Sequence, residues 1–381
     1  MSYTLYIHIP FCRHKCPYCN FGSITGAEDL FESYTEALIG EISSRCRDIF
    51  DGIPLTIYIG GGTPSLVPAS SIANVVKDFS TYPDIEFTVE ANPESISKND
   101  TEHKRWLDGI RAAGANRISI GIQSLDDGIL KILGRIHNSK QAISSITHAR
   151  QAGFKNVSID LMYGIPGQTF EIWEQTLDTV LELQPDHVSG YCLSVEEGTE
   201  YFNKMCNGKF QLPEPEKTSD MYILMNELFQ KDGLMRYEIS NFARAEYECK
   251  HNQAYWNFIP YLGVGSSAHS YNGSVRMWNE QNPIKYIKNI SSKNNSISGR
   301  EIIDTRKHLL EKIMLSLRTA NGLNLNHLEG LRSVIKNEFI NKIKVFENAG
   351  FLDIFDGYWV VLTTQGSVLA DEIISELVAE I

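Results

Sequence analysis

The chain is short of positive charge: among 381 residues, 35 Lys and Arg face 47 Asp and Glu, for a formal net charge of −12. Such a balance repels phosphate backbones and argues against bulk nucleic-acid binding. No apolar run approaches the ~18 residues needed to span a bilayer, so no transmembrane segment is expected. The start, Met1-Ser2-Tyr3-Thr4, lacks the basic region and apolar stretch of a secretory leader, and the chain reads as cytoplasmic. Internal repeats and low-complexity tracts are missing too. Cysteine is sparse: seven residues, three of them crowded into eight positions, which is no disulfide framework and suggests metal ligation. The dispersed Cys46, Cys192, Cys206 and Cys249 read as small buried hydrophobes.

What is present is an ordinary globular mixture, 42% hydrophobic and 22% charged. The length exceeds the ~100–200 residues of a lone core, so one large α/β domain with a smaller attachment is expected. Runs rich in Ile, Val and Tyr at Leu5 to Ile9, Leu55 to Ile59, Ile85 to Val89, Arg117 to Ile122, Val157 to Met162 and His187 to Leu193 predict strands. Helical spacing lies between them, as in Phe31, Tyr34, Leu38 and Ile42, or Trp173, Leu177, Val180 and Leu181. The alternation implies parallel βαβ units with right-handed crossovers. Periodicity alone leaves an open doubly wound sheet and an incomplete barrel as alternatives.

Both architectures gather chemistry at the carboxyl ends of the strands, and the unusual residues lie there. Cys12, Cys16 and Cys19 follow the first run, Gly60-Gly61-Gly62-Thr63-Pro64 the second, Glu90 ends the third, Gln123 ends the fourth, and Asp160 lies in the fifth. Residues 1–195 are thus expected to form the core. Residues 196–298, rich in Tyr, Asn and Gly, are expected to cover the pocket. In residues 299–381, helical runs from Thr305 to Leu317 and Glu338 to Ala349 precede a hairpin, Phe351 to Leu362, turned at Asp356-Gly357. That pattern predicts a winged-helix-like unit. From Arg300 onward nine basic residues face twelve acidic ones, which favours packing or partner docking over DNA. Asn289 to Gly299 is the best candidate for a linker.

In Cys12-Arg13-His14-Lys15-Cys16-Pro17-Tyr18-Cys19 a tight CxxxCxxC loop can turn three thiolates toward one small volume. Closed zinc or all-cysteine cluster sites need four ligands, so either a distant group such as His8 or His14 completes the set or one coordination position stays open.

The CxxxCxxC loop after Tyr6-Ile-His-Ile-Pro-Phe11, together with Gly-Gly-Gly-Thr-Pro after the second run, resembles the radical S-adenosylmethionine (SAM) superfamily. The resemblance implies a partial (β/α)6 barrel. It also implies a 4Fe-4S cluster held by Cys12, Cys16 and Cys19, whose fourth iron is left free for the amino and carboxylate groups of SAM. Carried over residue by residue, it makes Tyr6, Gly61, Gly62, Thr63, Glu90, Gln123, Arg135 and Asp160 SAM contacts. The chemistry suits those roles: Glu90 can accept from the ammonium, Arg135 can pair with the carboxylate, and Asp160 can accept from a ribose hydroxyl.

The likeness extends through Arg117-Ile-Ser-Ile-Gly-Ile-Gln-Ser124, Leu133-Gly-Arg-Ile-His137, Asp160-Leu-Met-Tyr-Gly-Ile-Pro-Gly-Gln168 and Tyr237-Glu-Ile-Ser-Asn-Phe242. These resemble the oxygen-independent coproporphyrinogen III oxidase group. Its dehydrogenases carry a further cysteine two residues past the third, where this chain has Phe21 after Cys19-Asn20. Its haem-chaperone branch carries HNxxYW, matched by His251-Asn252-Gln253-Ala254-Tyr255-Trp256. The resemblance therefore implies haem binding at His251 and transfer to a haem-accepting protein, with an electron donor for the cluster. His269 and Cys249 have weaker support as iron ligands. The rival implication is radical decarboxylation of porphyrinogen propionates.

Overall fold

The computed structural model describes residues 2–379 apart from 49, 51, 80, 81, 83, 99, 100, 294 and 329–332. Strands form where the apolar runs lie: β1 Thr4–Ile9, β2 Thr56–Gly61, β3 Glu86–Ala91, β4 Arg117–Gln123, β5 Asn156–Tyr163 and β6 His187–Cys192. They pair in parallel and in chain order from β1 to β6. A doubly wound sheet reverses its strand order at a switch point, whereas unbroken sequential order belongs to a barrel. The core is a partial (β/α)6 barrel.

Its strands are buried on both faces yet alternate in character. In β4, Ile118, Ile120 and Ile122 pack outward with no exposure, while Arg117, Ser119 and Gly121 face the barrel interior. The outer layer comprises α1 Phe31–Asp48, α2 Ala69–Val76, α3 Thr101–Ala112, α4 Ser139–Gln151 and α5 Phe170–Glu182. A capping box between Asn138 and Gln141 starts α4, and the Thr169 hydroxyl accepts from the Ile172 N–H to start α5. Trp173 of α5 is fully buried and donates Nε1–H to the Met221 carbonyl at 2.9 Å, which ties α5 to α6 Pro215–Lys231.

The sheet continues beyond the barrel. After α6 come β7 Met235–Arg236 and β8 Asn241–Ala243, then helix α7 Lys250–Trp256, and then β9 Tyr261–Val264, β10 His269–Tyr271, β11 Val275–Asn279 and β12 Ile297–Ile302. Among the described residues the order is β12-β11-β10-β9-β1-β2-β3-β4-β5-β6-β8-β7. This corrects the linker reading of Asn289 to Gly299. The stretch holds the end of helix Pro283–Lys293 and the start of β12, which pairs with β11; residue 294 lies outside the described residues. Its Ser and Asn content looks linker-like because β12 is an edge strand, with every second residue open to solvent.

Helices α8 Thr305–Leu317, α9 Ser333–Asn348 and α10 Ala370–Val378 surround a small antiparallel sheet of β13 Leu323–Asn324, β14 Leu352–Phe355 and β15 Trp359–Leu362, in the order β13-β15-β14. Asp356 and Gly357 turn the β14–β15 hairpin with φ of 51° and 76°, the left-handed pair that the Asp-Gly step predicts. This winged-helix-like unit has its own core around Ile313, Phe339, Ile343 and Val360. It joins the larger body where the Ile239 N–H donates to the Arg318 carbonyl at 3.1 Å.

Candidate functional site

A cavity of about 510 Å³ occupies the barrel interior, walled at one end by Cys12, Cys16 and Cys19 and at the other by Arg117 and Asn252. The cysteine loop leaves β1 and returns to the same point, because Phe11–Cys12 pairs with Ile24–Thr25. His8 anchors the return: its Nε2 lies 3.0 Å from the Gly22 carbonyl oxygen and its Nδ1 3.1 Å from the Tyr6 hydroxyl. Both ring nitrogens are thereby engaged, so His8 serves the loop rather than completing a zinc set. His14 lines the cavity.

The thiols are free of disulfides. Burial pushes the Cys12 and Cys19 thiols up, so a cation is required before they ionise readily. Donors already point at the sulfurs: the Thr63 hydroxyl toward Cys12 Sγ at 3.5 Å and Arg135 Nη1 toward Cys16 Sγ at 3.8 Å. Gly62 is obligatory in this packing. A Cβ there would meet the Phe11 carbonyl at 2.7 Å, the Ile9 carbonyl at 2.9 Å and Cys12 Sγ at 3.0 Å.

The strand ends form one connected polar wall. The Gly61 N–H donates to Glu90 Oε2 at 3.1 Å, and Gly61 needs its glycine freedom, with φ of 112°. The Tyr58 hydroxyl donates to Glu90 Oε1 at 2.8 Å. Asn92 donates to the Thr63 hydroxyl at 3.1 Å, while Arg135 Nη2 donates to Asn92 Oδ1 at 2.9 Å and to the Gly121 carbonyl at 2.8 Å. The Ser119 hydroxyl donates to Asp160 Oδ1 at 3.0 Å. Burial, aided by the Asp160 charge, raises the Glu90 carboxyl to about 7. Burial likewise raises Asp160. Gln123 sits at a register shift between β4 and β5 with φ of 63°, a strained backbone that aims its side chain at the cavity.

Of the expected SAM contacts, Gly61, Gly62, Thr63, Glu90, Gln123, Arg135 and Asp160 line this cavity. Tyr6 does not; its ring stacks on Tyr58 with centroids 6.2 Å apart, and its hydroxyl orients His8.

The HNxxYW segment departs further from expectation. It forms α7, which lies at the amino ends of the strands, opposite the cysteines. His251 is 1% exposed, with Nδ1 2.7 Å from the Thr56 hydroxyl and Nε2 3.1 Å from the Tyr255 hydroxyl. Its ring stacks on Tyr58 at 5.0 Å, and burial lowers its pKa to about 3. With both nitrogens held inside the protein, His251 is a structural post here and has no free lone pair to offer iron. This corrects its assignment as the haem ligand. Asn252 is the motif residue that reaches the cavity. His269 lies on β10, stacked on Trp278, and Cys249 is fully buried, so neither meets the cavity.

Residues 196–298 accordingly do more than cover a pocket. The Tyr201 N–H donates to the Pro17 carbonyl at 3.0 Å beside the cysteine loop, while α7 closes the opposite end of the barrel. Sequence reasoning also passed over Tyr58, Asn92, Arg117, Ser189, Tyr191 and Cys192, all on the cavity wall. The available signal was the alternation Arg117-Ile-Ser-Ile-Gly-Ile-Gln123, whose polar members face a lumen rather than solvent.

A sequential parallel barrel with three cysteines and a glycine turn at one cavity mouth is a radical SAM protein. Residues 6–180 match the model of the radical SAM superfamily. The coproporphyrinogen III oxidase HemN from Escherichia coli, described as a radical SAM enzyme, superposes with a TM-score of 0.82 at 24% identity, covering 99% of this chain and 90% of that one. The haem chaperone HemW of Bacillus subtilis is 34% identical, covering 99% of this chain and all of the relative. HemW of Haemophilus influenzae is 39% identical over 70% of this chain and 69% of the relative. In Danio rerio, the mitochondrial radical S-adenosyl methionine domain-containing protein 1 is 31% identical over 99% of this chain and 87% of its own. The chain belongs to the HemW family of radical SAM proteins. Its cofactors are a 4Fe-4S cluster and SAM.

Proposed function

We propose that the protein is a cytoplasmic haem chaperone that carries a 4Fe-4S cluster and SAM, binds haem and passes it to an acceptor protein. The observation that carries this reading is the end-to-end match to HemW, including the chain's Cys19-Asn20-Phe21 where a dehydrogenase of the wider group has a further cysteine. Phe21 is 66% exposed beside the cavity mouth, apolar surface suited to a flat macrocycle and unable to ligate a metal.

Cys12, Cys16 and Cys19 would hold three irons, supported by their convergence on one wall and by the donors from Thr63 and Arg135. Gly61, Gly62, Thr63, Glu90, Gln123, Arg135 and Asp160 would contact SAM, with Glu90 accepting from its ammonium. When reduced, such a cluster supplies the electron that cleaves SAM. Tyr6 would act through His8, holding the loop in place.

The test is anaerobic reconstitution followed by haem loading, then mixing with an apo haem protein while iron, haem and 5′-deoxyadenosine are measured on the same sample. Haem should bind and move to the acceptor. Decarboxylated porphyrin formed from coproporphyrinogen, SAM and a reductant would instead establish the dehydrogenase reading.

A further inference from the structure

Arg117 opens β4 at the amino end of the barrel and is 2% exposed, yet its guanidinium faces the cavity. Among the described residues its Nε has no hydrogen-bond partner, and no carboxylate lies within ion-pair distance of the group. The neighbouring carboxylate, Glu86, is already committed. Its oxygens accept from the backbone N–H groups of Lys250 and His251, each at 3.0 Å, and from the Cys249 thiol at 3.6 Å. Asn252, one residue beyond His251, presents its carboxamide to the same cavity.

An unpaired guanidinium sealed from bulk solvent is costly, and natural interiors satisfy such groups with a partner. Guanidinium and carboxamide donors side by side match the two oxygens of a carboxylate. We infer that Arg117 and Asn252 form a carboxylate-binding subsite on the floor of the barrel, and that the carboxylate it takes is a haem propionate. The choice of propionate rests on the haem-chaperone reading and on position. The amino-acid end of SAM belongs with the cluster, at the cysteine end where Arg135 already sits 3.8 Å from Cys16 Sγ. The floor lies at the far end of β4, six residue steps away, or about 20 Å of strand.

The experiment uses the full chain with reconstituted cluster and three probes: haem, haem dimethyl ester and SAM. Arg117→Met removes the charge, and Asn252→Asp, an isosteric change, puts a repelling carboxylate on the floor should the arginine variant fail to fold. Both are checked for cluster iron and melting temperature. Losing hydrogen bonds to a charged group predicts haem binding weaker by about ten- to a hundredfold in each variant. The dimethyl ester should bind wild type comparably weakly and be indifferent to either substitution, and SAM affinity should hold.

If SAM weakens while haem does not, the subsite takes the SAM carboxylate and the propionate assignment is overturned. Unchanged affinity for both probes in folded Asn252→Asp overturns the subsite itself. Wild type that binds SAM but no haem defeats the chaperone reading, and the SAM arm then decides the subsite alone.

Discussion

Glu90 gives the cleanest quantitative test of the cofactor site. Burial and the Asp160 charge hold its carboxyl at about 7, whereas accepting a hydrogen bond from an ammonium requires the ionised form. Protonated Glu90 must lose its proton before it can serve, so affinity for SAM should rise with pH. The ionised fraction runs from about one tenth at pH 6 to about three quarters at pH 7.5, which predicts roughly eightfold tighter binding across that interval. Below about pH 7.7 the α-amine of SAM itself stays largely protonated and does not obscure the trend. Calorimetry in two buffers of different ionisation enthalpy at pH 6 should also show most of a proton released per SAM bound. Glu90→Gln should bind about tenfold more weakly at pH 7.5 and lose the pH dependence. Identical profiles for wild type and Glu90→Gln would refute both the contact and the inferred protonation.

Other outcomes follow from the same geometry. Each of Cys12→Ala, Cys16→Ala and Cys19→Ala should abolish a stable cluster, because the two remaining thiolates cannot hold it; full cluster iron in any of them contradicts the ligand assignment. His251→Ala should lower stability by about 2–4 kcal/mol, through lost hydrogen bonds to Thr56 and Tyr255 and a void beside Tyr58, while haem binding persists. An unchanged melting temperature with haem lost would restore the histidine as a ligand. Gly62→Ala should impair cluster assembly by pushing Cys12 aside, visible as reduced iron per chain at near-normal expression.

The six barrel strands and the cysteine loop were legible because long apolar runs and a rare residue spacing are strong local signals. Topology was not. Whether six parallel strands open or curl depends on their neighbours in the sheet, which appears only in the pairing of β1 through β6. Short strands such as β8 and β10 escaped because three residues carry no measurable period. The His251 assignment failed for a related reason. A motif says which residues travel together, not which end of the barrel they occupy, and only the contacts with Thr56 and Tyr255 place the imidazole at the closed end. Arg117 hid in plain view. A charged residue heading a strand ordinarily signals solvent, and in a barrel the same alternation signals a polar lumen.

The seal formed by α7 has a consequence for traffic. With Tyr58, His251 and Tyr255 locked together beneath Asn252, the far end is a dead end, and everything bound inside must come and go past the three sulfurs. Cargo, nucleoside and recipient would then queue at one doorway, so the order of loading and unloading is built into the architecture.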